Sequence, residues 1–261
     1  MKVVILCGGK GTRLREETEY RPKPMVPIGG KPILWHIMKI YASHGVTEFI
    51  LCLGYKGEMI KDFFRNYLWA TSDVTVELGR ENPVMFHNEL DETGWKITLA
   101  DTGEDSMTAY RVRRIMPYLG SDDTFLLTYG DGVGDIDITA SIDFHRAQGR
   151  ACTLTGVHPP GRFGELGIGK VSEVTHFNEK PQAEGGYING GYMVCDRRLM
   201  AYLPDDPGMM LERAPMDAMV KARDLAVYKH DGFWQPMDTY QEYMLLNTMW
   251  AKGAAPWKVW S

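Results

Sequence analysis

An apolar run at residues 3–6 breaks into Cys7-Gly8-Gly9-Lys10-Gly11-Thr12-Arg13-Leu14, and Arg21-Pro22-Lys23-Pro24-Met25 follows. Glycines at 8, 9 and 11 leave backbone N–H groups open to a polyphosphate, while Arg13 can fork onto phosphate oxygens and Lys10 can add a point charge. Pro22 and Pro24 fix their own φ and drive the preceding residues towards extended geometry, so Lys23 is expected to project from a stiff rod. Two cationic arms around one glycine loop suit a triphosphate.

Other phosphate loops fit less well. The dinucleotide fingerprint needs a third glycine where Leu14 stands, a helix directly after it, and an acidic residue where Gly54 ends the second strand. A Walker loop needs a closing Gly-Lys-Ser/Thr that is missing. Cys7 beside the loop has no visible base to activate it and reads as a small buried hydrophobe.

These groups need a frame. Apolar runs at Val3–Leu6 and Glu48–Leu53 alternate with helical patterns at Ile33–His44 and Glu58–Tyr67, a βαβα rhythm. Thr124–Tyr129 is apolar on both faces, as a central parallel strand should be, and ends in Gly130-Asp131-Gly132. Asp131 therefore sits at the carboxyl end of a strand, where ligands gather in open α/β sheets and where the glycine loop also lies. Further on, a helix is expected at Asp137–Gln148, strands at Cys152–Val157, Lys170–Phe177 and Tyr187–Cys195, and helices at Met209–Arg223 and Tyr240–Trp250. Residues 79–105 fit neither period and are expected to form an inserted arm or hairpin. The tail from Trp250 carries Trp257 and Trp260, rings that must cover a surface on their own domain or on a neighbour.

The 261 residues, 44% hydrophobic and 24% charged, suit one large α/β domain with insertions. A net charge of -5 argues against a nucleic-acid or anionic-membrane partner. No leading export segment or bilayer-length apolar run is visible, so a cytoplasmic protein is expected, with Cys7, Cys52, Cys152 and Cys195 reduced. The seven histidines show no zinc-ligand spacing.

Leu6–Leu14, Arg21–Met25 and Gly29-Gly30-Lys31-Pro32 together resemble the opening signature of the sugar-1-phosphate nucleotidylyltransferases. Residues 30–39, 128–133, 159–164, 178–181, 189–191 and 232–239 narrow the likeness to the cytidylyltransferases that take glucose 1-phosphate. The resemblance implies a single domain over 1–261, a three-layer α/β/α Rossmann-like fold of the nucleotide-diphospho-sugar transferase type, with a mixed, mostly parallel sheet. It implies CTP and glucose 1-phosphate as substrates, Mg²⁺ as cofactor, CDP-glucose for deoxysugar or surface polysaccharide synthesis, and a homo-oligomer.

In that reaction a sugar-phosphate oxygen attacks the α-phosphorus in line and pyrophosphate leaves. The attacking group is already anionic, so the protein must gather repelling anions and stabilise their charge. Arg13, Lys23 and Asp131 are the catalytic candidates. Mg²⁺ wants one or two carboxylates, and Asp131 with Asp238 would supply them. The plain alternatives are an Asp-Gly turn at 131 and a helix cap at 238. The resemblance places Leu6, Gly8 and Gly9 at the base and ribose, and Gly11 and Thr12 at the phosphates. Ser106, Arg111 and Gly130 join the nucleotide site. It gives Lys180 to the sugar phosphate and Glu179 and Asn189 to sugar hydroxyls.

The chain departs from the family pattern at Ala109-Tyr110, where two glycines are usual, and at Gly167, where an acidic residue is usual; the first is expected to restrict a loop near the ligand. UTP or dTTP in place of CTP, or another phosphorylated acceptor, is the nearest rival reading. An NAD-dependent sugar oxidoreductase and a non-catalytic sugar-nucleotide sensor stand further off.

Overall fold

The computed structural model describes residues 1–79, 83–159, 165–168, 174–178 and 186–260, with 165–168 and 174–178 as backbone alone. Seven strands form the central sheet: β1 (Val3–Leu6), β2 (Glu48–Leu53), β3 (Lys96–Asp101), β4 (Thr124–Tyr129), β5 (Cys152–Val157), β6 (Ile188–Asp196) and β7 (Leu225–His230). Their order is β7-β5-β6-β4-β1-β2-β3. Every pairing is parallel except those of β6, which runs antiparallel to both β4 and β5. The β3-β2-β1-β4 half has the doubly wound order, which reverses between β1 and β4 and opens a crevice beyond their carboxyl ends.

Alternation along the strands divides the core into two layers. Val3, Ile5, Phe49, Leu51 and Leu126 face α1 (Ile33–Ser43). Val4, Leu6, Ile50, Phe125 and Leu127 face α3 (Thr108–Arg114), Leu199 and Met219 of α5 (Ala214–Lys221). Both faces are covered, so the sheet is the middle of three layers.

Local chemistry sets the helix ends. Ile33, Leu34, Ile37, Met38, Ile40 and Tyr41 bury one broad face of α1, and Gly45 at φ +78° ends it as only glycine does without strain. α2 (Gly57–Arg65) follows β2. In α4 (Ile138–Gln148) the Asp137 carboxylate accepts from Ala140 N–H at 2.9 Å, and Gly149 at φ +61° closes the other end. α6 (Tyr240–Ala251) opens on a capping box between Thr239 and Glu242.

Two segments depart from the expectations. Lys96–Asp101, inside the anticipated arm, is the edge strand β3 of the main sheet, parallel to β2; only one side is paired, so the run is half-exposed and its apolar signal weak. Trp95 before it packs on Phe49 with ring centroids 5.1 Å apart. What remains of the arm is a short ladder, Val74–Val76 with Val84–Phe86. The helix expected over Met209–Arg223 is only Ala214–Lys221, because Met107 and Ala109 N–H groups donate to Pro207 and Met209 carbonyls and tie the preceding turns to α3.

The tryptophan tail covers its own domain. Trp257 is fully buried and its Nε1–H points to His36 Nδ1 at 3.4 Å, while Trp250 stands edge-on to the same imidazole with centroids 4.6 Å apart. Among the described residues no helix is long and apolar enough to cross a membrane.

Candidate active site

The crevice at the strand-order reversal holds a cavity of about 350 Å³. Leu6, Gly8, Gly9, Gly11, Thr12, Arg13, Lys23, Ser106, Arg111, Gly130, Asp131 and Asp238 all line it. The loops after β1 and β4 meet there because the two strands are parallel neighbours, Leu6 opposite Tyr129, and so open on the same side.

A short antiparallel ladder of Gly132–Gly134 with Trp234–Pro236 puts the two candidate metal ligands side by side. Asp131 precedes one strand and accepts through its backbone carbonyl from Met237 N–H at 2.8 Å; Asp238 follows the other. The capping role open to Asp238 is taken by Thr239, and the Asp238 N–H donates to Glu242 at 2.7 Å. Both carboxylates are thereby free to face the cavity.

They converge on one cation. Lys23 Nζ lies 2.7 Å from Asp131 Oδ2 and 2.5 Å from Asp238 Oδ1, and Arg13 Nη1 reaches Asp238 Oδ2 at 3.0 Å. Burial pulls the Lys23 ammonium towards neutrality, yet the two carboxylates outweigh it and hold its pKa above the ordinary value. Burial likewise works to raise Asp238, but Lys23 and Arg13 prevail and keep it below the usual carboxylate range. Lys23 does not project from a rod. Lys23–Met25 is one turn of 3-10 helix, which the fixed proline φ tolerates, and the lysine is buried. A four-residue helical turn, Arg15–Thr18, also follows the glycine loop, where no helix was expected.

Arg111 braces the loop from beneath. Its guanidinium donates to the carbonyls of Leu53, Gly8 and Glu104 and to Thr102 Oγ1, at 2.8–3.1 Å. A Cβ at Gly8 would sit 2.1 Å from Arg111 Nη1, and one at Gly54 2.6 Å from the same atom, so both glycines are the space this side chain occupies. Lys10 pairs with Asp105 at 2.8 Å on the exposed rim. Burial pushes the Cys7 thiol well up, with Cys52 adding to it, which leaves it protonated at neutral pH and excludes a nucleophilic role.

A smaller cavity adjoins the first, lined by Asn189, Gly190, Gly191, Tyr192 and Trp234. Asn189 Oδ1 accepts from Gly191 N–H at 2.9 Å. Glu179, Lys180 and residues 160–164 lie outside the described residues; Gly167 lies in the ladder of Glu165–Ile168 with Val174–Asn178, opposite His176. Ala109 and Tyr110 are not in a loop. They are in the first turn of α3, a place that suits them better than the glycines they replace, and Ala109 is fully buried away from the cavity. Thr108 and Tyr129, which sequence reasoning passed over, line the main cavity; the signal for Tyr129 was its place at the end of a central strand, two residues before Asp131.

Among the described residues no group of three or more His, Cys, Asp and Glu gathers as a metal centre. Mg²⁺ does not need one: two carboxylates that already hold a shared cation, beside a cavity with room for a larger anion, suit an ion that completes its shell with phosphate oxygens and water.

The nucleotidyl transferase family model matches residues 2–244. Glucose-1-phosphate cytidylyltransferase from Salmonella typhimurium is 48% identical over 260 residues, covering 100% of both chains. Mannose-1-phosphate guanyltransferase from Kluyveromyces lactis is 26% identical over 94% of this chain and 63% of its own. The fold is similar to that of HddC from Yersinia pseudotuberculosis complexed with GMP-PN, at a TM-score of 0.67 and 22% identity, over 95% of this chain and 99% of the other. The glycine loop, the cation-holding carboxylate pair and the end-to-end match agree, and the chain belongs to the sugar-1-phosphate nucleotidylyltransferase family.

Proposed function

We infer that this chain transfers a cytidylyl group from CTP to glucose 1-phosphate, giving CDP-glucose and pyrophosphate. The observation that carries the reading is the full-length 48% identity to a glucose-1-phosphate cytidylyltransferase. The geometry supports it with a cavity lined by the exposed Arg13, the buried Lys23 and two carboxylates.

An oxygen of the sugar phosphate attacks the α-phosphorus, and the bond to the departing pyrophosphate breaks. No proton has to be removed from the nucleophile, so the task of the protein is to bring anions together and to stabilise the charge of the transferring group. Arg13 and Lys23 are placed to neutralise the phosphates, and Gly11 and Thr12 to offer backbone donors. Leu6, Gly8, Gly9, Ser106, Gly130 and Arg111 frame the nucleotide. Asp131 and Asp238 would hold Mg²⁺, which when bound adds charge neutralisation to the phosphates. Asn189 beside the smaller cavity, with Glu179 and Lys180, is assigned to the sugar phosphate.

A cytoplasmic homo-oligomer is proposed. All four cysteines are free and buried, and Leu68, Trp69, Leu78 and Met85 leave large apolar surface exposed around the short ladder at 74–86. The test is pyrophosphate release with Mg²⁺, crossing CTP, UTP, dTTP, ATP and GTP against glucose 1-phosphate and other sugar phosphates. Preference for CTP with glucose 1-phosphate is expected; preference for another pair would move the specificity, and silence across the grid would overturn the reading.

A further inference from the structure

Among the described residues, only Tyr129 and Asp131 line both the main cavity and the smaller one. Tyr129 is thus part of the wall between the nucleotide half and the half that contains Asn189. Its placement is fixed from two sides. Gly191, at φ +80°, lies so close that an added Cβ would be 2.5 Å from Tyr129 Cδ2, so the ring fills the room that glycine leaves. The hydroxyl donates to Glu212 Oε1.

Glu212 comes from a different part of the chain, just before α5, and is half-buried. Its second oxygen accepts from Thr108 Oγ1 at 2.7 Å, and that hydroxyl accepts from Leu211 N–H at 2.7 Å. Thr108 opens α3 and lines the main cavity beside Ser106 and Met107. One carboxylate therefore ties the end of β4, the start of α3 and the turns at 207–212.

We propose that Glu212 is a positioning residue for the transfer: through Tyr129 and Thr108 it fixes the wall between the two substrate halves relative to the Ser106–Thr108 rim. This rests on the functional reading above. An in-line reaction is sensitive to displacements of an ångström in its reacting groups, so a side chain that touches neither substrate can still control the rate. Tyr129 remains a neutral phenol, because burial and the neighbouring Glu212 carboxylate both oppose its ionisation. Its proton is engaged by Glu212, and the Asn189 side chain hydrogen-bonds to the same hydroxyl.

The test is steady-state kinetics with CTP, glucose 1-phosphate and Mg²⁺, with calorimetric CTP binding and thermal unfolding of each variant. Glu212→Ala and Tyr129→Phe are each expected to lower kcat by at least about tenfold while CTP affinity stays within about threefold. Tyr129→Phe keeps the ring and its packing, so it reports on the hydroxyl bond even if Glu212→Ala folds poorly. Glu212→Gln, whose amide oxygen still accepts from Tyr129, should retain most of the turnover. The double variant should be no slower than Glu212→Ala, since both remove one strut. Unchanged kcat in both single variants, a loss that merely follows Tm, or fully additive losses would overturn the proposal alone. A wild-type protein without turnover on any pair would overturn the functional reading, and this proposal with it.

Discussion

Asp131 and Asp238 grip the same ammonium from the two ends of one short ladder, with Lys23 Nζ at 2.7 Å from the first and 2.5 Å from the second. The lysine proposed to meet phosphate is thus also the counter-ion that lets two carboxylates share a crevice. Removing it leaves like charges facing each other, with Arg13 on Asp238 as the cation that remains paired among the described residues.

Lys23→Met is therefore expected to act twice. Turnover should fall by about 10²–10³-fold through the lost phosphate contact. The Mg²⁺-free protein should lose about 1–3 kcal/mol, discounted because both carboxylates keep partial solvent contact. Calorimetric unfolding with and without Mg²⁺ checks this: the ion should restore more stability to the variant than to wild type, and equal shifts would contradict the shared-cation account.

Asp131→Asn keeps the size and the backbone bond to Met237 but removes a charge. Turnover is expected to drop by about 10²-fold or more, with circular dichroism and Tm little changed. Near-normal activity would remove Asp131 from the metal assignment.

Gly8→Ala puts a methyl on the Arg111 guanidinium. The arginine would be forced from its carbonyl partners, and a loss of about 1–3 kcal/mol in denaturant titration is expected, with weaker CTP binding. Gly9→Ala makes the control, since nothing lies within 4 Å of a Cβ there; similar losses in both would refute the packing argument.

His36 makes folding sensitive to acid. Burial is the main reason its pKa falls to about 4 from the model-peptide 6.5, while backbone contacts at Ile28 and Lys31 only partly oppose it. Between those values the unfolded chain binds a proton that the folded one refuses. Stability is thus complete above pH 6.5 and falls as the pH drops, by about 2 kcal/mol at pH 5. Urea titrations at pH 7 and 5 should show that this part of the loss is missing from His36→Gln; equal losses in the two proteins would overturn the assignment.

The buried strands were legible in the chain. Val3–Leu6, Glu48–Leu53, Thr124–Tyr129 and Cys152–Val157 fall where the apolar runs predict, because each is buried by packing on both faces and has strong local signal. Lys96–Asp101 was missed because an edge strand is half-solvated. The glycine loop and Asp131 could be located from strand ends alone. Asp238 could be placed only by resemblance, since the ladder that brings it to Asp131 joins residues about a hundred positions apart. Glu212 left no local trace, because its meaning lies in contacts with Tyr129 and Thr108, far from it in sequence.

Trp257 carries a consequence for synthesis. It lies fully buried against His36 on α1, although 221 positions of chain separate the two residues. The His36 side of α1 stays uncovered until residue 257 has been made and released from the ribosome, so packing on that side cannot be completed while the intervening chain is being translated. A nascent chain halted before residue 257 exposes that face to chaperones and to other chains.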